Sequence, residues 1–357
     1  MRKLSFVLLI AAIQGMATAA PPVPAPPRID EIVKIDMHSH IFEPVPEFVD
    51  MMRRINLRII NICTRGTLPL WLPRAEALVE DAHRRFPDLF AFASTFDVTR
   101  PDEEDYHDQV RKWLDRSFEA GAVMTKIWKE IGMEVKNPDE SFLMPDDPVF
   151  DPIYDHLRLS GKPLIAHLAE PLEAWRPLHP DNTHYGYYSS HPEWHFYTKE
   201  GVPSHAQIIA ARDHLLEKHP DLTVIGAHIG SLSHDVDEVA RRLDRFPNFH
   251  VEVAARTKDL TRQPKEKICN FFIKYQDRIL YGYDLVFAPE EGGHSQEEID
   301  AFVRRTEAQY RKDFQYYAGS GTVEMAGREV ECLELPRPVL EKFYSGNARR
   351  IIPGLGL

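Results

Sequence analysis

A chain of 357 residues with 43% apolar content could form one large domain or two ordinary ones, with ample material for a core. Its formal charge of -12, without any block of Lys and Arg, argues against a nucleic-acid partner or an anionic membrane surface. The three cysteines, Cys63, Cys269 and Cys332, are too few and too far apart to describe a disulfide framework; they read as buried small hydrophobes, with one bridge left open.

Arg2 and Lys3, the apolar run Leu4 to Ile13 and the small-residue triplet Ala17-Thr18-Ala19 form the three parts of a secretory signal peptide. Residues 1–20 are therefore expected to be removed and the protein exported, to the periplasm or beyond the cell. The apolar run is too short to span a bilayer, so no stable membrane anchor is expected. Losing Arg2 and Lys3 takes the formal charge from -12 to -14. Residues 21–30, opening P-P-V-P-A-P-P, read as a stiff, extended leader ahead of a single domain over 31–357.

From there, short apolar runs alternate with amphipathic stretches. The runs are Ile32 to His38, Leu57 to Cys63, Leu89 to Phe96, Ala122 to Trp128, Pro163 to Leu168, Leu222 to His228, Phe249 to Val253 and Ile279 to Tyr283. Helical period covers Pro46 to Arg54, Pro73 to Arg85, Glu104 to Ala120, Phe150 to Ser160, His205 to His219, Asp235 to Phe246 and Thr261 to Tyr275. Eight strands buried on both faces and alternating with helices predict an α/β fold, a parallel (β/α)8 TIM barrel. An open doubly wound sheet would carry a Gly-rich phosphate turn after its first strand, and this first strand ends in His. Two stretches exceed the repeat. Residues 171–203, rich in aromatics and His, leave the end of the fifth strand and are expected to lie over the catalytic face as a lid that includes Trp175, His184, Tyr185, His191, Trp194 and His195. Residues 288–335 form an insertion after the eighth, with a charged helix from Gln296 to Tyr317 and a hairpin around Met325 to Arg328. The chain closes with an amphipathic helix, Pro338 to Ile352.

The chemistry gathers at strand ends. Side chains on a strand alternate with period two, so Asp36, His38 and His40 in I-V-K-I-D-M-H-S-H are expected on one face. In a parallel barrel all C-terminal strand ends meet on one face. The last polar residues there are His38 and His40 from the first strand, Lys126 from the fourth, His167 from the fifth, His228 from the sixth and Asp284 from the eighth. Imidazole and carboxylate are the ligand types of a zinc-like site. Arg65 and Arg256 follow strands two and seven, where a guanidinium could clamp a substrate carboxylate or pair with a loop acid. Asp36 reads equally as an orienting partner for a ligand His and as an interior polar residue satisfied by its neighbours.

These residues carry a resemblance. D-M-H-S-H, L-I-A-H, V-I-G-A-H-I-G and Y-G-Y-D look like the metal-site strands of the amidohydrolase superfamily, and the closing F-Y-S-G-N-A-R-R-I-I-P resembles its amidohydrolase-2 branch, similar to aminocarboxymuconate-semialdehyde decarboxylase. The resemblance spans Ile32 to Pro353. It implies that His38, His40, His167 and Asp284 hold one divalent metal, zinc above others, with a water in the remaining position. His228 would polarise or deprotonate that water, and Asp284 would accept its proton. Strand-four lysines are carboxylated and bridge two metals in some branches; with a single metal, Lys126 becomes a cation facing the substrate.

The reading is an exported, metal-dependent hydrolase in which activated water attacks the amide, ester or lactone carbonyl of a small molecule. The alternative is metal-dependent, non-oxidative decarboxylation of an aromatic or unsaturated acid. An Arg beside the metal would favour the decarboxylase, and export tilts the choice towards hydrolysis. A silent binding protein is disfavoured because the whole ligand set is present. A homo-oligomer is left open.

Overall fold

A computed structural model describes residues 26–63 and 72–357. Arg65 and the residues read as a signal peptide lie outside the described residues. Eight parallel strands run in sequence order around the sheet: β1 (Lys34–Ile41), β2 (Leu57–Ile62), β3 (Phe90–Thr95), β4 (Met124–Ile127), β5 (Leu164–Ala166), β6 (Val224–Gly226), β7 (Phe249–Glu252) and β8 (Ile279–Leu280). The ninth, β9 (Val286–Phe287), pairs in parallel with β1 on its other side. The seam between β8 and β1 is closed by backbone bonds: Met37 N donates to Tyr281 O at 3.0 Å and Asp284 N to His38 O at 2.6 Å. Because β8 is only two residues long, the chain after it stays beside β1, and that brings Asp284 to the histidines.

Period-two alternation sorts the core into two layers. Ile60, Ile62, Ala91, Ala93, Ile165 and Ile225 fill the barrel interior, closed at its N-terminal end by Ile351, Ile352 and Leu355. Residues one place along, such as Ile59, Phe90, Leu164, Val224 and Phe249, face the surrounding helices. The helix expected from Thr261 instead runs Lys265–Lys274 after a separate turn, Thr257–Leu260. Pro264 stands at its N-cap and disfavours helical backbone in Gln263. The three cysteines are free.

β1 departs from strict alternation. Its pairing with β2 runs Asp36 with Ile59 and then Ser39 with Asn61, so β1 holds an extra residue there. Such a bulge reverses the facing of everything beyond it. Asp36 therefore faces outwards while His38 and His40 face the cavity, which corrects the expectation that all three share a face. The Asp36 carboxylate accepts the amides of His38 at 3.0 Å and Tyr283 at 2.9 Å, the Ser39 hydroxyl at 2.5 Å and the Tyr310 hydroxyl at 2.6 Å. It thus satisfies backbone donors that the bulge and the barrel seam leave without ladder partners.

Tyr310 belongs to the insertion. Its helix, Gln296–Ala318, opens with a capping box in which Ser295 and Glu298 exchange bonds, and it packs Phe302 on Phe287 with centroids 4.2 Å apart. One turn beyond Tyr310, Asp313 is buried against the hydroxyls of Thr257 at 3.3 Å and Tyr281 at 3.4 Å. The insertion therefore braces β1, β8 and the segment after β7 from outside. Its hairpin, Thr322–Met325 with Arg328–Glu331, turns through Ala326 and Gly327, both at positive φ as a two-residue hairpin turn requires.

Burial lifts the Asp313 carboxyl from 3.8 to about 7. The native state therefore holds a proton that the unfolded chain releases near 3.8, and this contribution to stability, complete below that pH, is lost as pH rises through about 7. Asp313→Asn is expected to raise stability at pH 8.5 by on the order of 2 kcal/mol and to change it little at pH 4, as read by urea unfolding at both pH values.

Candidate functional site

The C-terminal strand ends open on a cavity of about 420 Å³ lined by His38, His40, His167, His228, Asp284 and Arg256, with Trp128 and Tyr187 among its aromatic walls. Ligand atoms of His38, His40 and Asp284 lie within 4.8 Å of one another. Asp284 Oδ1 is 3.4 Å from His40 Nε2 and 3.7 Å from His38 Nε2. His167 lines the same cavity outside that cluster, its ring 4.3 Å from that of His228, centroid to centroid.

Hydrogen bonds set the tautomers. His40 Nδ1 donates to Ile62 O at 2.8 Å and His228 Nδ1 to Ala254 O at 2.8 Å, since a carbonyl can only accept. His38 Nδ1 donates to the Glu252 carboxylate at 2.8 Å. A neutral ring held this way carries its lone pair on Nε2, the form that ligates metals or accepts a proton. His167 Nε2 is buried without a hydrogen-bond partner. An orphaned imidazole nitrogen next to a His-His-Asp cluster fits a divalent cation, which would give that nitrogen a bond. Burial, reinforced by nearby positive charges, holds His38, His167 and His228 well below the ordinary imidazole value and keeps them neutral. Asp284 supplies the carboxylate of the cluster beside these imidazoles.

Glu252, at the end of β7, was not among the residues singled out in the sequence. Fully buried, it accepts His38 Nδ1 through Oε1, which also takes the His228 amide at 2.9 Å, while Oε2 takes the amide of Ala254. One carboxylate thus fixes a ligand ring from β1, the turn after β6 and the end of β7. Burial pushes its carboxyl up, and the amides of Ala254 and His228 and the Lys126 ammonium oppose that. The signal available in the sequence was an acid inside the otherwise apolar run F-H-V-E-V. Gly282 makes room for it: a Cβ there would stand 2.7 Å from Glu252 Oε2 and 3.3 Å from His38 Cβ.

Local backbone at the site is strained. His228, Ile229, Gly230 and Ser231 all have φ between 57° and 59°, a left-handed turn that L side chains rarely adopt. Ser231 Oγ braces it by donating to Ala169 O at 2.8 Å, His205 Nε2 by donating to Ser231 O at 3.0 Å, and the Arg212 guanidinium by bonding Gly230 O. Asp284 is left-handed as well, with φ 72°.

Lys126 is fully buried on β4, its Nζ 3.2 Å from His38 Nε2, and it does not line the cavity. Burial draws its ammonium down to about 8 against the pull of Glu252 and Asp284. Arg256 does line the cavity; its Nη1 donates to Ala255 O at 3.1 Å, and its buried Nε, without a hydrogen bond, lies 3.8 Å from Asp259 Oδ2. Of the expected lid residues, His184 reaches the cavity, held by Asp259 at 3.0 Å, and Tyr187 joins it. Trp194 lies behind them against the buried Lys129 and Glu170 ion pair, with Lys129 Nζ 3.9 Å from its ring centroid. Trp175 packs instead against Phe196 and His205, because these rings supply the small core of the loop.

The sequence profile of the amidohydrolase family matches residues 71–354, which include His167, His228 and Asp284 but not β1. No curated protein matches the chain in sequence. The fold is similar to that of 2,6-dihydroxybenzoate decarboxylase from Rhizobium, at 15% identity and a TM-score of 0.52, covering 90% of this chain and 98% of that one. A candidate amidohydrolase from Staphylococcus aureus aligns with a TM-score of 0.55 at 13% identity, over 90% of this chain and 99% of that one. A candidate 2-pyrone-4,6-dicarboxylic acid hydrolase from Pseudomonas putida aligns with a TM-score of 0.52 at 13% identity, over 91% of this chain and 99% of that one.

If Glu252 orients His38, Glu252→Gln is expected to fold and to bind zinc about 10- to 100-fold more weakly. Competition against a chromophoric chelator measures this, and an unchanged affinity would remove the role. Gly282→Ala, which pushes on both Glu252 and His38, is expected to weaken zinc binding in the same assay.

Proposed function

Since the chain belongs to the amidohydrolase-2 branch of the amidohydrolase superfamily, a family of metal-dependent enzymes, we propose that it acts on a small planar organic acid and removes its carboxyl group as CO2 without oxidation. The observation carrying this reading is Arg256, a buried guanidinium that lines the same cavity as the His-His-Asp cluster. A guanidinium in the cavity wall would hold a substrate carboxylate with charge-assisted bonds. Carboxylates are also what the Rhizobium and Pseudomonas proteins are named for. The cavity, about 420 Å³ with Trp128 and Tyr187 in its walls, suits one small ring.

In this reading His38, His40, His167 and Asp284 hold one divalent ion, zinc by the preference of imidazole and carboxylate donors. When bound, such an ion supplies Lewis acidity and lowers the pKa of water. Arg256 orients the acid. As the carbon–carbon bond breaks, its electron pair stays on the ring carbon, which must take up a proton. His228, whose Nε2 lone pair is free and whose ring is fixed through Nδ1, is the group placed to shuttle it. The same lone pair favours a second reading, general-base hydrolysis of a lactone, ester or amide, and the secretory leader also argues for that, as it directs the enzyme towards external compounds.

The two readings separate by stoichiometry. Zinc-loaded protein would be given hydroxybenzoates and pyrone carboxylates under a pH-stat with CO2 detection. Decarboxylation predicts one CO2 per turnover with one proton taken up, so that acid must be added to hold the pH as CO2 is swept off; hydrolysis of a lactone predicts one proton released without CO2. In either case Arg256→Gln is expected to raise KM for the acid by at least about tenfold while leaving bound metal unchanged. Neither product across the panel would contradict both readings.

A further inference from the structure

A cation already stands against the metal-facing nitrogen of His38. Lys126 Nζ is 3.2 Å from His38 Nε2, and because Nδ1 is held as a donor to Glu252 at 2.8 Å, it is the Nε2 lone pair that meets the ammonium. Lys126 is fully buried and is not among the residues lining the cavity. The carboxylates on the same imidazole are Glu252, 2.8 Å from Nδ1, and Asp284, 3.7 Å from Nε2. We propose that Lys126 is the internal counter-cation of this site: without metal its ammonium balances Glu252 and Asp284 and caps His38 Nε2, and an incoming divalent ion must displace it, so its charge sets how tightly the site loads.

Charge counting gives the direction. Two carboxylates and one ammonium sum to -1, which a divalent ion takes to +1. With a neutral residue at 126 the same ion takes the site from -2 to neutrality. In a buried, weakly screened environment that difference favours the ion in the neutral variant. This distinguishes Lys126 from a ligand. A lysine that bridged metals as its carboxylated form would add a negative donor, and its removal would weaken binding or halve the stoichiometry.

The inference rests on the metal-holding reading of the cluster but concerns loading rather than turnover. Zinc affinity and zinc per chain would be measured by chelator competition and elemental analysis on the full chain, stripped of metal, for wild type, Lys126→Gln and Lys126→Arg. Gln can still donate to His38 Nε2 without the charge; Arg keeps the charge and cannot be carboxylated. Expected are about tenfold or greater tightening in Lys126→Gln, affinity within about threefold of wild type in Lys126→Arg, and one zinc per chain throughout. The thermal midpoint of metal-free Lys126→Gln should fall while that of its zinc form recovers. Unchanged or weaker zinc binding in Lys126→Gln would overturn the proposal, as would a fall from two metals to one in both variants, which would make Lys126 a bridging ligand. If wild type binds no zinc, the metal centre itself fails, and the counter-cation with it.

Discussion

The site depends on one buried carboxylate. Glu252 receives the imidazole of His38 and the amides of His228 and Ala254, so three elements of the barrel meet on two oxygen atoms. An unpaired charge at that depth would be expensive, and each bond both offsets that cost and fixes a donor. His38 acquires its tautomer there, and His228 is held in a backbone conformation it would not adopt alone. Gly282 leaves the space in which the contact forms.

The barrel and most of the cluster were legible because they follow from local rules. Apolar runs alternating with amphipathic stretches mark a parallel barrel, and the barrel alone brings strand ends that are distant in sequence, such as His40 and Asp284, to within 3.4 Å. What escaped the sequence depends on non-local pairing. The bulge in β1 exists only because Asp36 finds Tyr283, Ser39 and Tyr310, the last 274 residues away, and it turns Asp36 out of the face that strict alternation assigns to it. Glu252 escaped because its partners come from β1 and from the turn after β6, which are not its neighbours in sequence. In the lid, Trp175 and His184 look alike by composition; packing sends one to the core of the loop and the other to the cavity.

Strain and bracing divide the molecule. Left-handed backbone recurs where chemistry is expected, at His228 to Ser231 and at Asp284, as well as in turns away from it such as Asn56 and Glu140. The insertion after β8 serves this arrangement from outside: Tyr310 secures Asp36 behind His38 and His40, and Asp313 ties the segments after β7 and β8 to the same helix.

The account stands on the claim that four side chains from β1, β5 and the segment after β8 hold one divalent ion. Elemental analysis of the purified full chain after zinc reconstitution, set beside His167→Ala and Asp284→Ala, tests that claim most directly. It predicts close to one zinc per chain in wild type and little in either variant. Wild-type protein without bound metal, or variants that retain a full equivalent, would contradict it.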